Sequence, residues 1–210
     1  MDKRSGDDTK GLERIVFFSD AIFAIVMTLL VLDIPVPDLP PDLPAAELSA
    51  QVLALWPKFL SYMLSFLVIG TYWIAHHQTF LYIKSYDRTL IWLNLLFLLS
   101  ISFVPFPTSL LGEYGELQFA VVLYAGSLAI PRLLLALQWW YAIRGRILLS
   151  DDLDAGMAKY HFARSLAIPF VFLLSIIVSF LSVRAAILCW FLMLVADAVL
   201  WRLQQRYRWL

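Results

Sequence analysis

The sequence predicts an all-α, polytopic membrane protein with six transmembrane helices, and three observations carry that prediction. First, 61% of the 210 residues are hydrophobic and only 15% are charged, with a mean hydropathy of +0.78; soluble domains carry about a quarter charged residues. A soluble core of this size cannot hide so much apolar surface, so lipid must cover part of it. Second, the apolar residues gather into six runs near the roughly 20 residues a helix needs to cross a bilayer. Third, the polar segments between the runs alternate in their content of lysine and arginine.

The expected helices span residues 12–32, 49–75, 89–111, 117–143, 162–182 and 185–203, which together make residues 1–210 one six-helix transmembrane domain. The first run is too long for the apolar region of a secretory signal, so it is read as a retained membrane helix. Residues 35–44 hold five prolines and two aspartates; such a linker cannot be helical and must lie outside the bilayer. Only Ser182, Val183 and Arg184 separate the last two runs, which should form a tight hairpin.

Charge orients the bundle. With the N-terminus inside, the inner segments carry Lys3, Arg4, Lys10, Arg14, Lys84, Arg88, Arg144, Arg146, Lys159, Arg164, Arg202, Arg206 and Arg208, that is 13 of the 16 basic residues. The excess of positive charge on one side places both termini in the cytoplasm, at the plasma membrane. Asp33, Asp38, Asp42, Glu47, Glu113 and Glu116 then lie outside. The formal net charge is zero and Cys189 is the sole cysteine, so neither a nucleic-acid partner nor an internal disulfide is indicated.

Ionisable groups are rare in the apolar runs, where an unpaired charge costs several kcal/mol. Asp20 in the first run, His76 and His77 at the end of the second, and Asn94 in the third fall at similar depth near the cytoplasmic side. They form either a hydrogen-bonded cluster that fixes the register of the helices, or a proton relay through Asp20 and His77 of the kind secondary transporters use. Adjacent histidines point about 100° apart on a helix, unlike the i, i+4 pair of a zinc site, so no metal site is expected. Arg132 follows Pro131 as a lone charge in the fourth run.

With Asp20 at 0° and about 100° per residue, Phe18, Ile22, Ile25, Leu29 and Leu32 fall between about 120° and 200°, with Thr28 on their flank. The first helix therefore carries a continuous apolar stripe turned away from Asp20. Periodicity alone leaves open whether it faces lipid or a neighbouring helix.

Arg14, Phe18, Ser19 and Asp20 compose an R-x-x-x-F-S-D motif at the head of this helix, which continues through Ala21, Ile22, Ala24, Ile25, Thr28, Leu29 and Leu32. This segment closely resembles the bacterial branch of the transmembrane protein 175 family of potassium channels, as do Trp73, His76, His77 and Phe80. At the level of motifs the resemblance rests on the first two or three helices. It implies a homotetramer in which the first helix of each copy lines a central pore. It also implies a constriction made by Ile25, Leu29 and Leu32, with Thr28 contributing to selectivity for permeant K+. Arg14, Phe18, Ser19 and Asp20 are implied to act as a structural motif with polar partners Trp73, His76, His77 and Asn94. No cofactor is implied.

Other classes are poorly supported. No Ser/His/Asp spacing, zinc motif or Gly-rich phosphate loop marks an enzyme. No helix carries arginines at every third position, as a voltage sensor does. A proton-coupled secondary transporter using Asp20 and His77 is the alternative, although no pair of Gly/Pro-interrupted helices marks a midplane site.

Overall fold

The first helix, α1 (Asp2–Leu29), runs unbroken from a charged head into the apolar stripe and tightens into a 3-10 segment over Leu30–Asp33. Pro35 and Pro37 follow within four residues; a proline disfavours helical backbone in the residue before it and supplies no amide hydrogen, so the helix stops there. The chain is described by a computed structural model over residues 2–37, 44–145, 155–190 and 192. Six further helices follow as α2 (Ala45–Ala54), α3 (Trp56–Leu81), α4 (Arg88–Phe103), α5 (Pro105–Tyr114), α6 (Gln118–Gly145) and α7 (Ala155–Ser179), and α8 (Val183–Cys189) closes the described part.

Prolines explain where these helices depart from the expected runs. The run expected at 49–75 divides at Leu55, because Pro57 sits in the first turn of a new helix, where its missing amide costs nothing. The membrane-length helix is therefore Trp56–Leu81, and His76 and His77 lie inside it rather than beyond its end. The run expected at 89–111 breaks at Val104, since Pro105 and Pro107 cannot donate to Ile101 and Phe103; α4 and α5 are its two halves. Asp87 starts α4 by accepting the amide of Leu90 at 2.8 Å, an N-cap that satisfies one of the free amides of the first turn. Pro131 and Pro169, by contrast, lie within continuous helices α6 and α7.

Among the described residues, four segments are long and apolar enough to cross a membrane, namely Thr9–Asp33, Trp56–Leu81, Arg88–Tyr114 and Gln118–Arg144, and a shorter apolar helix spans Ser165–Ser179. The sixth expected helix, 185–203, lies outside the described residues from 191 onward except at Leu192, as do linker residues 38–43.

The spans alternate in direction. α1 packs on α3 and α4, α6 lies against α3, α4 and α5, and α7 covers α6. Phe23, Val26 and Leu30 of α1, Ile69 and Tyr72 of α3, Phe97 and Ile101 of α4, and Tyr124 and Leu128 of α6 form one core. Polar atoms in this core find partners within the chain. Tyr72 donates its hydroxyl to the Leu128 carbonyl at 2.7 Å. Ser65 joins Thr108 at 2.8 Å and Tyr124 at 2.9 Å, and Trp190 donates to Ser175 at 2.9 Å. A second cluster around Phe80, Ile83, Leu90 and Ala142 lies at the end where α1 begins, packed by Leu12, Ile15 and Val16. There a β-carbon at Gly11 would run into the Tyr86 ring, which would have to move to admit one.

Candidate functional site

Two faces of α1 define the site. Ser19, Phe23, Val26 and Leu30 are buried against the rest of the chain, about 100° around the helix from the apolar stripe. Ile25, Leu29 and Leu32 remain 54%, 44% and 75% exposed, and Phe18 and Thr28 are exposed beside them. The Thr28 hydroxyl lies 2.8 Å from the carbonyl of Ile25 and 3.0 Å from that of Ala24. Its proton is thus held by its own helix, and only its lone pairs face outward.

The buried face is fastened by a hydrogen-bonded chain with a single direction. Ser19 donates to the Ile15 carbonyl at 2.8 Å, so its oxygen is the acceptor for the Asn94 side-chain amide at 2.9 Å. The Asn94 carbonyl oxygen then accepts from His76 Nε2 at 3.0 Å. The chain places the imidazole proton on Nε2 and leaves Nδ1 a buried atom without a partner among the described residues, as expected for a neutral ring. Phe97 stacks on that ring at 5.4 Å and 4°, and Phe80 approaches it at 4.5 Å. These rings bury the imidazole, which is fully enclosed.

Beside this chain, Trp73 Nε1 donates to Asp20 Oδ1 at 2.8 Å, and His77 stacks on Trp73 at 5.9 Å and 23°. The indole is a donor only, so it orients the carboxylate but passes no proton from it to His77. The structure therefore brings Ser19, Asp20, Trp73, His76, His77 and Asn94 together. Arg14 and Phe18 are exposed on α1, and Arg14 has no polar partner among the described residues. Among the described residues, no three His, Cys, Asp or Glu side chains are grouped to hold a metal ion.

Two features named in the sequence were given no role there. Arg132 is buried, with its guanidinium 5.7 Å from the Tyr72 ring centre; it borders a cavity of about 80 Å³ that α3, α6 and α7 line with Thr71, Gln78 and Ser165 among others. At the far end of α1, Asp33 reaches a small cavity between α3 and α5. Lone charges inside apolar runs were the available signal for the first; nothing in the local pattern marked the second.

The model of the endosomal/lysosomal potassium channel TMEM175 family matches residues 14–105. A potassium channel of Streptomyces collinus is 43% identical over 70% of this chain and 71% of its own length. A second, of Chamaesiphon minutus, is 34% identical over 81% of this chain and 85% of its own. This chain belongs to the TMEM175 family. The solved structure of a lysosomal potassium-selective channel TMEM175 homolog from Chamaesiphon minutus superimposes with a TM-score of 0.75 at 32% identity, covering 91% of this chain and 98% of that one. The TMEM175 match contains all of α1 from Arg14, α3 and α4, and therefore every residue of the polar chain and of the exposed stripe. It is a family of ion channels, not of enzymes.

Proposed function

We propose that this TMEM175 chain is a potassium-selective cation channel, a homotetramer whose four α1 helices surround one pore. The observation that carries this reading is the division of α1 into a buried face locked to α3 and α4 and an exposed face of Ile25, Leu29 and Leu32. On a fourfold axis these side chains stack as three rings about one turn apart. Both termini are cytoplasmic and the protein resides in the plasma membrane.

Rings of aliphatic side chains block ions by bulk and by expelling water, so a shut state needs no charged gate. Opening requires the α1 helices to turn or splay until a partly hydrated ion passes. Potassium sheds water more readily than sodium, so apolar rings favour it modestly, and outward lone pairs of Thr28 reinforce the preference. The Arg14, Phe18, Ser19 and Asp20 motif, with Trp73, His76, His77 and Asn94, sets the rotation of α1 and hence which side chains meet at the axis.

The test is potassium flux from proteoliposomes of purified protein, with Ile25→Ala and Leu29→Ala. Passive flux should follow the potassium gradient at fixed pH, and either substitution should widen the pore and lower the preference for potassium over sodium. Unchanged preference in both variants removes the rings. Flux that requires a proton gradient would support the transporter based on Asp20 and His77 instead.

A further inference from the structure

The 3-10 segment that ends α1 stops at Asp33, directly after the exposed Leu32. Asp33 Oδ2 is buried and has no hydrogen-bond partner among the described residues, an expensive condition for a carboxylate oxygen. It faces a cavity of about 10 Å³ whose lining includes Lys58, Ser61, Thr108, Ser109 and Gly112, a space that admits one water and nothing larger.

The donors around this cavity are largely committed. Ser61 donates to the Lys58 carbonyl at 3.0 Å, so its oxygen keeps a lone pair for the cavity, whereas Thr108 donates to the Val104 carbonyl at 2.9 Å and accepts from Ser65 at 2.8 Å. The Lys58 ammonium pairs with Glu113 and has two further N–H bonds. A cation is disfavoured beside Lys58. A water fits the remaining groups, since it can donate to Asp33 Oδ2 and to the Ser61 oxygen beside the Lys58 stem.

We propose that Asp33 is a positioning residue of the pore: through one water held in this cavity with Lys58 and Ser61, it pins the 3-10 segment to α3 and α5 and so fixes the Leu32 ring. This rests on the channel reading above. The geometry supplies an independent handle on α5, because a β-carbon at Gly112 would lie 2.8 Å from Ser61 Oγ and 3.2 Å from Lys58 Cγ. Gly112→Ala thus fills the cavity from α5 and makes Ser61 or the α3 backbone beside it shift, with no substitution on α1.

The experiment uses Leu32→Cys in a Cys189→Ser background, with block of potassium current by a membrane-impermeant methanethiosulfonate applied from the side opposite the N-terminus. The rate of block should rise about tenfold on adding Asp33→Ala, and similarly on adding Gly112→Ala. Asp33→Asn, which keeps an acceptor oxygen, should stay within about twofold of the parent. The Asp33→Ala and Gly112→Ala effects should not add, because both remove one interaction. Block that proceeds at the parental rate in both variants overturns the role of Asp33 and leaves the pore intact. Failure of the reagent to block Leu32→Cys in any background overturns the pore itself, and the anchoring role with it.

Discussion

Trp73 of α3 holds the carboxylate of Asp20 of α1 across 2.8 Å, on a face where the indole is 40% exposed. The bond joins two antiparallel helices at bilayer depth, where a free carboxylate and a free indole N–H are both unfavourable. Trp73→Phe keeps an aromatic ring, though a smaller one, and removes the donor. It should lower the thermal stability of the detergent-solubilised protein by about 1 kcal/mol, within the range for hydrogen bonds to a charged group inside a membrane protein. Asp20→Asn keeps an acceptor and should cost less; a melting curve of each variant decides the order.

Asn94 is the hub of the buried chain, since it both donates to Ser19 and accepts from His76. Asn94→Leu strands the His76 Nε2–H and leaves the Ser19 oxygen without its donor, each in an apolar pocket. We expect a loss of about 2 kcal/mol, roughly double that of Ser19→Ala, which removes one end of the chain only. Denaturation midpoints measured in the same detergent test the ratio.

The close approach of Tyr86 to Gly11 predicts a coupled pair. Gly11→Ala should destabilise the start of α1, because the added methyl occupies the ring position. Tyr86→Ala should cost less in the Gly11→Ala background than in the parent. A double-mutant cycle on protease resistance of the N-terminal helix reads that coupling, and additive effects would show that the ring simply moves aside.

Tyr124 separates stability from permeation. Its hydroxyl meets Ser65 at 2.9 Å in the core shared by α3, α5 and α6, away from the exposed face of α1. Tyr124→Phe should lower stability by about 1 kcal/mol while leaving the ratio of potassium to sodium flux within experimental scatter. A changed ratio would mean that the outer helices tune the pore.

Apolar run length carried most of the architecture, because a chain in lipid must satisfy its backbone within each helix and the runs therefore announce themselves. Helix ends were less legible. Pro57, Pro105 and Pro107 are plain in the sequence, yet a hydropathy reading passes over them, since prolines within apolar runs can either break a helix or be tolerated, as at Pro131 and Pro169. Depth alone grouped Asp20, His76, His77 and Asn94, because polar side chains in lipid have few other places to go. It could not supply the order Ser19–Asn94–His76, which depends on rotamers and on the Phe97 and Phe80 rings. The partnerships of Tyr72 with Leu128 and of Asp33 with its cavity had no periodic signature, because one member of each is a backbone carbonyl or a space between helices.

The two carbonyl contacts of Thr28 have a consequence for what can approach α1. A hydroxyl whose hydrogen already lies against its own backbone has no free hydrogen to extend to a halide. The oxygen repels negative species and attracts positive ones, whatever their diameter. In the proposed pore, four such oxygens between the Ile25 and Leu29 rings would sort ions by sign while the aliphatic collars sort them by hydration. Serine at this position would retain that polarity filter, whereas valine, nearly the same shape, would abolish it.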